Sequence, residues 1–191
     1  MTRSLPGLSA PEAGFEVPLE MLSACHLRIE HQCSTLRRLV PHLLAHGADA
    51  EARAAAASVV RYFETAAKDH HADEEEDIFP ALMESMAGSD AVCLRELTAR
   101  LSAEHRELEA HWQRLRPALE RVAANESASL AASDVEALVG LYERHIAREE
   151  LELLPMAARL LTDDGLDRVG RAMRERRGVS EAALLNATPA L

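Results

Sequence analysis

A chain of 191 residues is long enough to bury a core without disulfide or metal staples, and short enough for one domain. Its net charge of −11 argues against a nucleic-acid partner, which demands a basic surface. Aromatics are few while Ala, Leu, Glu and Arg dominate, which favours helix over sheet, and no apolar run approaches the roughly 20 residues that span a bilayer.

Residues 1–18, rich in Pro and Gly, read as an irregular arm. Met1–Pro18 lacks the basic head, apolar run and cleavage site of a signal peptide, so a soluble, cytoplasmic protein is expected. A first helix is predicted from Leu19 to His46, with Leu22, Ile29, Leu36 and Leu43 on one stripe and Pro41 kinking or shortening it. Two of its histidines compete for the inward face. Apolar residues follow His26 at +3, +7, +10 and +14 (Ile29, Cys33, Leu36, Val40), whereas the same offsets from His31 give Ser34, Arg38, Pro41 and Ala45. The stripe therefore selects His26. Cys25, Cys33 and Cys93 form no C-x-x-C pair, and an odd number of cysteines suits a reducing compartment.

Asp49 is the predicted N-cap of a second helix, Ala50 to Phe79, which Pro80 bends or ends. Here His70 and Glu74, four apart, stand one above the other on the face of Val60, Phe63, Ala67 and Ile78. His71 and Glu75 share that spacing but follow Glu64 and Lys68, so His71, Glu75, Glu76 and Asp77 are assigned to a solvated face, with a supporting role behind the ligands left open for a few of them. Residues 87–90 read as a turn. The third helix, Ala91 to Ala123, carries Leu94, Leu101, Leu108, Leu115 and Val122 on one heptad position and Thr98, His105, Trp112 and Leu119 on the other. Pro117 is a potential kink. After a polar loop, Ser133-Asp134-Val135-Glu136 resembles a capping box opening a fourth helix that runs to Leu161. On it the earlier pattern recurs: His145, Glu149 and Pro155 repeat the spacing of His70, Glu74 and Pro80. A short helix, Asp164–Arg177, and a tail, 178–191, complete the chain.

Four long helices with short connections predict an all-α, antiparallel up-down four-helix bundle over residues 19–177, with an extra short C-terminal helix, and the two halves look duplicated. A lone histidine on an apolar face is usually ordinary core. Four histidines and two glutamates converging on one interior are a different matter, because buried carboxylates without a cation cost several kcal/mol. His26, His70, Glu74, His105, His145 and Glu149 are therefore the predicted ligands of a two-metal site. Mixed imidazole and carboxylate ligation suits Fe, Mn or Zn. The Glu-x-x-His pairs of ferritin-like bundles and the H-E-x-x-H of zinc proteases are both absent.

The pieces His70-His71-x2-Glu74-Glu75-x2-Ile78-Phe79-Pro80 and His145-Ile146-x2-Glu149-Glu150-x3-Leu154-Pro155 resemble the hemerythrin-like, or HHE cation-binding, domains over about Leu19 to Arg177. The resemblance implies a non-haem di-iron centre: two iron ions joined by an oxo or hydroxo bridge, both carboxylates bridging and the histidines terminal. Where the oxygen-carrying members place a further histidine on the third helix, this chain has Glu109. That makes it more similar to the four-histidine bacterial type.

The leading expectation is a metal-binding protein that binds or senses O2 or NO, or holds iron, with Mn or Zn as substitute ions and a homodimer left open. One alternative is a redox enzyme acting on peroxide or NO, or an iron-delivery protein for iron–sulfur repair. Another is a structural or signalling bundle with a zinc or vestigial site. No separate nucleophile, base or cofactor motif is present to argue for catalysis. Tyr142 is either a hydrogen-bond donor over the centre or core packing, Cys33 either redox-sensitive or core, and Glu109 either an occasional ligand or a surface acid.

Overall fold

The computed structural model describes residues 14–85, 91–126 and 129–179. Helix α1 spans Pro18–His46. The second rod comprises α2 (Ala50–Glu64), α3 (Ala66–Ala72), a π-helical turn (Asp73–Ile78) and α4 (Phe79–Ser85). The third is α5, Ala91–Ala123. The fourth comprises α6 (Ala132–Arg148), a second π turn (Glu149–Leu153) and α7 (Leu154–Leu160), and α8 (Asp163–Arg176) follows. No strand occurs among the described residues. α1 packs on α2 and α6, and α5 packs on the same two, which makes the up-down four-helix bundle with an added C-terminal helix.

The heptad stripes are what close the bundle. Leu22, Ile29, Leu36 and Leu43 of α1 are buried, as are Leu94, Leu101, Leu108, Leu115 and Val122 of α5. The core they build is in two blocks. One holds Ile29, Leu36, Phe63, Leu108, Trp112, Leu138 and their neighbours. The other holds Leu22, Ile78, Leu82, Leu94, Leu101, Leu153, Val169 and Met173. Between them lies a polar layer of His26, His70, Asp73, Glu74, His105, His145 and Glu149, all buried.

Local chemistry sets the ends. Gly47 terminates α1 at φ 68°, a left-handed conformation open to glycine, and its N–H reaches the Leu43 carbonyl at 2.9 Å. Asp49 caps α2, accepting from the Ala52 N–H at 2.8 Å. Asp49→Ala is expected to lower the melting temperature by about 2–4 °C, as is usual for a lost cap, and differential scanning calorimetry would read it.

α1 and α5 continue past Pro41 and Pro117, whose exposed rings leave the carbonyls they orphan open to water. Two expectations need correction. The fourth rod opens at Ala132 behind Ala131, with no side-chain cap, so Ser133 and Glu136 form no capping box; Glu136 instead pairs with Arg37. Pro80 does not end its rod, which continues to Ser85. The break falls earlier, at Thr65. The turn expected at 87–90 lies outside the described residues.

Each motif proline follows a π turn. The Phe79 N–H bonds to the Glu74 carbonyl and the Leu154 N–H to the Glu149 carbonyl, both five residues back. A proline cannot supply the ordinary bond, and in both copies the backbone answers by widening just ahead of it. The widened turns start at or beside Glu74 and Glu149, which places both carboxylates in the buried layer.

Candidate metal centre

Each rod contributes to this layer: His26 from α1, His70 and Glu74 from the second rod, His105 from α5, His145 and Glu149 from the fourth. His31, the rejected candidate of α1, is exposed. His26 Nε2 lies 3.0 Å from Glu149 Oε2, and His70 Nε2 lies 3.5 Å from Glu74 Oε1. On the other side His105 Nε2 is 3.1 Å from Glu74 Oε2, and His145 Nε2 is 2.9 Å from Glu149 Oε1. Each carboxylate thus turns one oxygen to the His26/His70 pair and the other to the His105/His145 pair. Within each set of two imidazoles and two carboxylates, the ligand atoms all lie within 4.8 Å of one another.

These short contacts lack hydrogen-bond geometry. All four oxygens of Glu74 and Glu149, His26 Nε2 and both ring nitrogens of His70 are buried without a hydrogen-bond partner. His105 Nε2 and His145 Nε2 face each other at 3.1 Å. Buried carboxylate oxygens and ring nitrogens that converge without hydrogen-bond partners are what a cation site requires, and the donor set fits divalent iron, manganese or zinc.

The outer nitrogens are held from behind. His26 Nδ1 lies 2.6 Å from Glu150 Oε1, His105 Nδ1 2.7 Å from Glu75 Oε1, and His145 Nδ1 3.1 Å from Glu104 Oε2. A proton on each Nδ1 leaves Nε2 free to ligate and fixes the ring. Glu75 and Glu150 are equivalent: each follows its motif glutamate and supports the single histidine of the opposite half. Their placement is written in the doubled acids Glu74-Glu75 and Glu149-Glu150.

His71 departs from its expected solvated face. Its ring stacks on His105, with centroids 4.1 Å apart and planes at 13°, and its Nε2 is buried without a partner. With His105 and His145 it forms a third convergent set. His71 keeps the register of Glu64 and Lys68, which stay paired across Thr65 at 2.9 Å, but that face lies against α5, where Trp112 also donates to Glu64 at 2.7 Å. Of its assigned companions, Glu76 is solvated, Glu75 supports His105, and Asp77 pairs with Arg176.

Tyr142 belongs to the apolar block, with its ring 5.5 Å from Phe63 and 6.2 Å from His71. Burial pushes the Cys33 thiol up to about 12, which leaves it an unreactive core residue. Glu109 is exposed and accepts from Gln113.

Electrostatics follows from crowding. Burial and the neighbouring Glu149 carboxylate drive Glu74 far above the usual carboxylate range. Glu149 resists burial because His105, His145 and His26 hold it ionised. Burial opposes charge on His26, but Glu149 and Glu150 outweigh it and raise the ring to about 9. Desolvation and the neighbouring imidazoles push down His70, which is fully buried, and His71, whose Nε2 is enclosed.

A helical bundle crossed by a buried layer of convergent imidazoles and carboxylates is a cation-binding bundle in class. The chain belongs to the family described as the hemerythrin HHE cation binding domain, which it matches over residues 17–157. It is also similar to an uncharacterized protein of Haemophilus influenzae, 32% identical over 169 residues, covering 88% of this chain and 95% of that protein. Among the described residues no helix is long and apolar enough to cross a membrane.

Because His26 is buried in the layer and His31 is exposed, His26→Ala is expected to lower metal uptake severalfold while His31→Ala leaves it unchanged. Metal analysis of the two purified variants checks this, and the reverse result would assign the layer to the wrong face of α1.

Proposed function

We propose that this chain is a cytoplasmic protein holding two iron ions, which binds or senses O2 or NO, or keeps the iron itself. His26 and His70 serve one ion, and His105 and His145 the other, with His71 adding a further nitrogen on that second side. Glu74 and Glu149 bridge. The observation that carries the reading is the division of each buried carboxylate between the two imidazole pairs, since one-ion binding leaves half of those oxygens unpaired. When bound, such ions supply reversible one-electron chemistry and coordination positions for a small ligand.

The protein's own part is to hold that chemistry in place. Glu150, Glu75 and Glu104 lock three imidazoles in the ligating tautomer. The two apolar blocks keep bulk water from the layer on both sides. A small recess of about 10 Å³ beside His71, lined by Phe63, Ala67, Lys68, Glu109, Trp112 and Tyr142, is no larger than a single water needs and leaves no room for a bulky substrate.

The test is metal analysis of protein from iron-replete cells, followed by optical spectra of the reduced protein after addition of O2 or NO. About two irons per chain and a ligand-dependent spectrum are expected. Zinc in place of iron would indicate the structural or signalling alternative, and multiple turnovers of peroxide or NO the enzyme.

A further inference from the structure

The π turn carrying Glu74 is gripped from outside the four-helix bundle. Asp73, immediately before Glu74, is 0% exposed. Its Oδ1 accepts from Arg176 Nη1 at 2.5 Å and Arg177 Nη1 at 3.0 Å, and its Oδ2 from Arg177 Nη2 at 2.5 Å. Arg176 also reaches Asp77 Oδ2 and Glu76 Oε2, both at 2.8 Å. Two arginines at the end of α8 thus bind three acids of a single turn.

α8 is firmly seated. Val169 and Met173 sit in the core block with Met21, Leu22 and Ile78. Gly170 passes so close to the Phe15 carbonyl oxygen that an added Cβ would fall 2.1 Å from it. The helix lies beyond residues 17–157, which match the family.

The duplicated half shows what the clamp is for. The position equivalent to Asp73 is Arg148, whose Nε reaches Glu104 Oε1 at 3.2 Å and whose Nη1 reaches Glu152 Oε1 at 3.4 Å. There the turn carries its own cation and ties itself to the acid that supports His145. In the first half the sign is inverted, and the cations come from α8. An apolar residue at Asp73 would be the cheaper way to fill a buried position beside Glu74. Glu74 itself has no hydrogen-bond partner, so its place depends on its backbone.

We propose that Arg176 and Arg177 are positioning residues of the metal centre, holding Glu74 on target through Asp73 and making α8 a working part of the site. This rests on the two-ion reading above. The test uses the full chain, with ferrous iron as probe in competition with a chelator and the melting temperature of the iron-free protein as a second readout. The neutral triple variant Asp73→Asn, Arg176→Gln, Arg177→Gln leaves no unpaired buried charge. It is expected to bind iron about 10–100-fold more weakly and to release it faster, as for other lost supports of a ligand. Arg176→Lys with Arg177→Lys keeps charge but loses the forked geometry, and is expected to fall between the triple variant and the parent. It decides the matter if the triple variant does not fold. A merely structural role would lower the melting temperature and leave the iron affinity of folded protein at the parent's value, and that result overturns the proposal. A parent that takes up no iron overturns the two-ion reading instead, and this inference with it.

Discussion

Glu149→Ala is expected to strip the protein of nearly all its metal, at both positions at once. One Glu149 oxygen lies 3.0 Å from His26 and the other 2.9 Å from His145, so a single truncation removes an oxygen donor from each side. The loss of affinity should exceed the roughly 10–100-fold typical of an outer support. Glu150→Ala, which removes only the acid behind His26, should stay within that range. Glu149→Gln keeps the shape but not the charge, and should resemble the alanine variant. Metal content by elemental analysis ranks the three. Full loading of Glu149→Ala would refute a bridging role.

Metal uptake at pH 7 is expected to expel protons, and affinity is expected to climb with pH. His26, raised to about 9, is charged at neutrality in the metal-free protein, while Glu74 is driven far above the usual carboxylate range by burial and by Glu149. A cation needs the free base in both cases. Each displaced proton adds about tenfold in affinity per pH unit while its group is protonated. For His26 that window closes near pH 9. The sign for the metal-free fold is opposite. A histidine whose folded value is raised contributes stability fully present below its unfolded value, near 6.5, and lost as pH rises through about 9. The stabilisation gained on loading therefore widens with pH. Calorimetric titration in two buffers of different ionisation enthalpy measures the protons released; none at pH 7 would contradict the charge state assigned to the layer.

Periodicity alone makes most of the bundle readable. Leu22–Ile29–Leu36–Leu43 and Leu94–Leu101–Leu108–Leu115–Val122 repeat every seven residues, and all of them face the core. The same stripes separate His26 from His31, because no irregularity intervenes in α1. What a helical wheel cannot convey is which flank of the apolar stripe meets a neighbouring helix. His71 is misassigned because its face, shared with Glu64 and Lys68, lies against α5 and not against solvent. Asp73 is missed for a related reason: an acid among Asp73-Glu74-Glu75-Glu76-Asp77 reads as solvent-facing until a distant helix brings Arg176 and Arg177 to it. The supporting pair Glu75 and Glu150 was within reach, since each motif doubles its acid. The cue has meaning only once the opposite half is known to lie against it.

Sandwiching the charged storey between two greasy ones has a mechanical consequence. Most small bundles fray from their tips, but here the least comfortable section of all four rods is at mid-height, where stripping the cations leaves acids and imidazoles facing one another. Deuterium uptake should accordingly invert on chelation, with amides around positions 70–75 and 145–150 exchanging faster than those flanking them. Heat would then part the molecule at its waist before its ends.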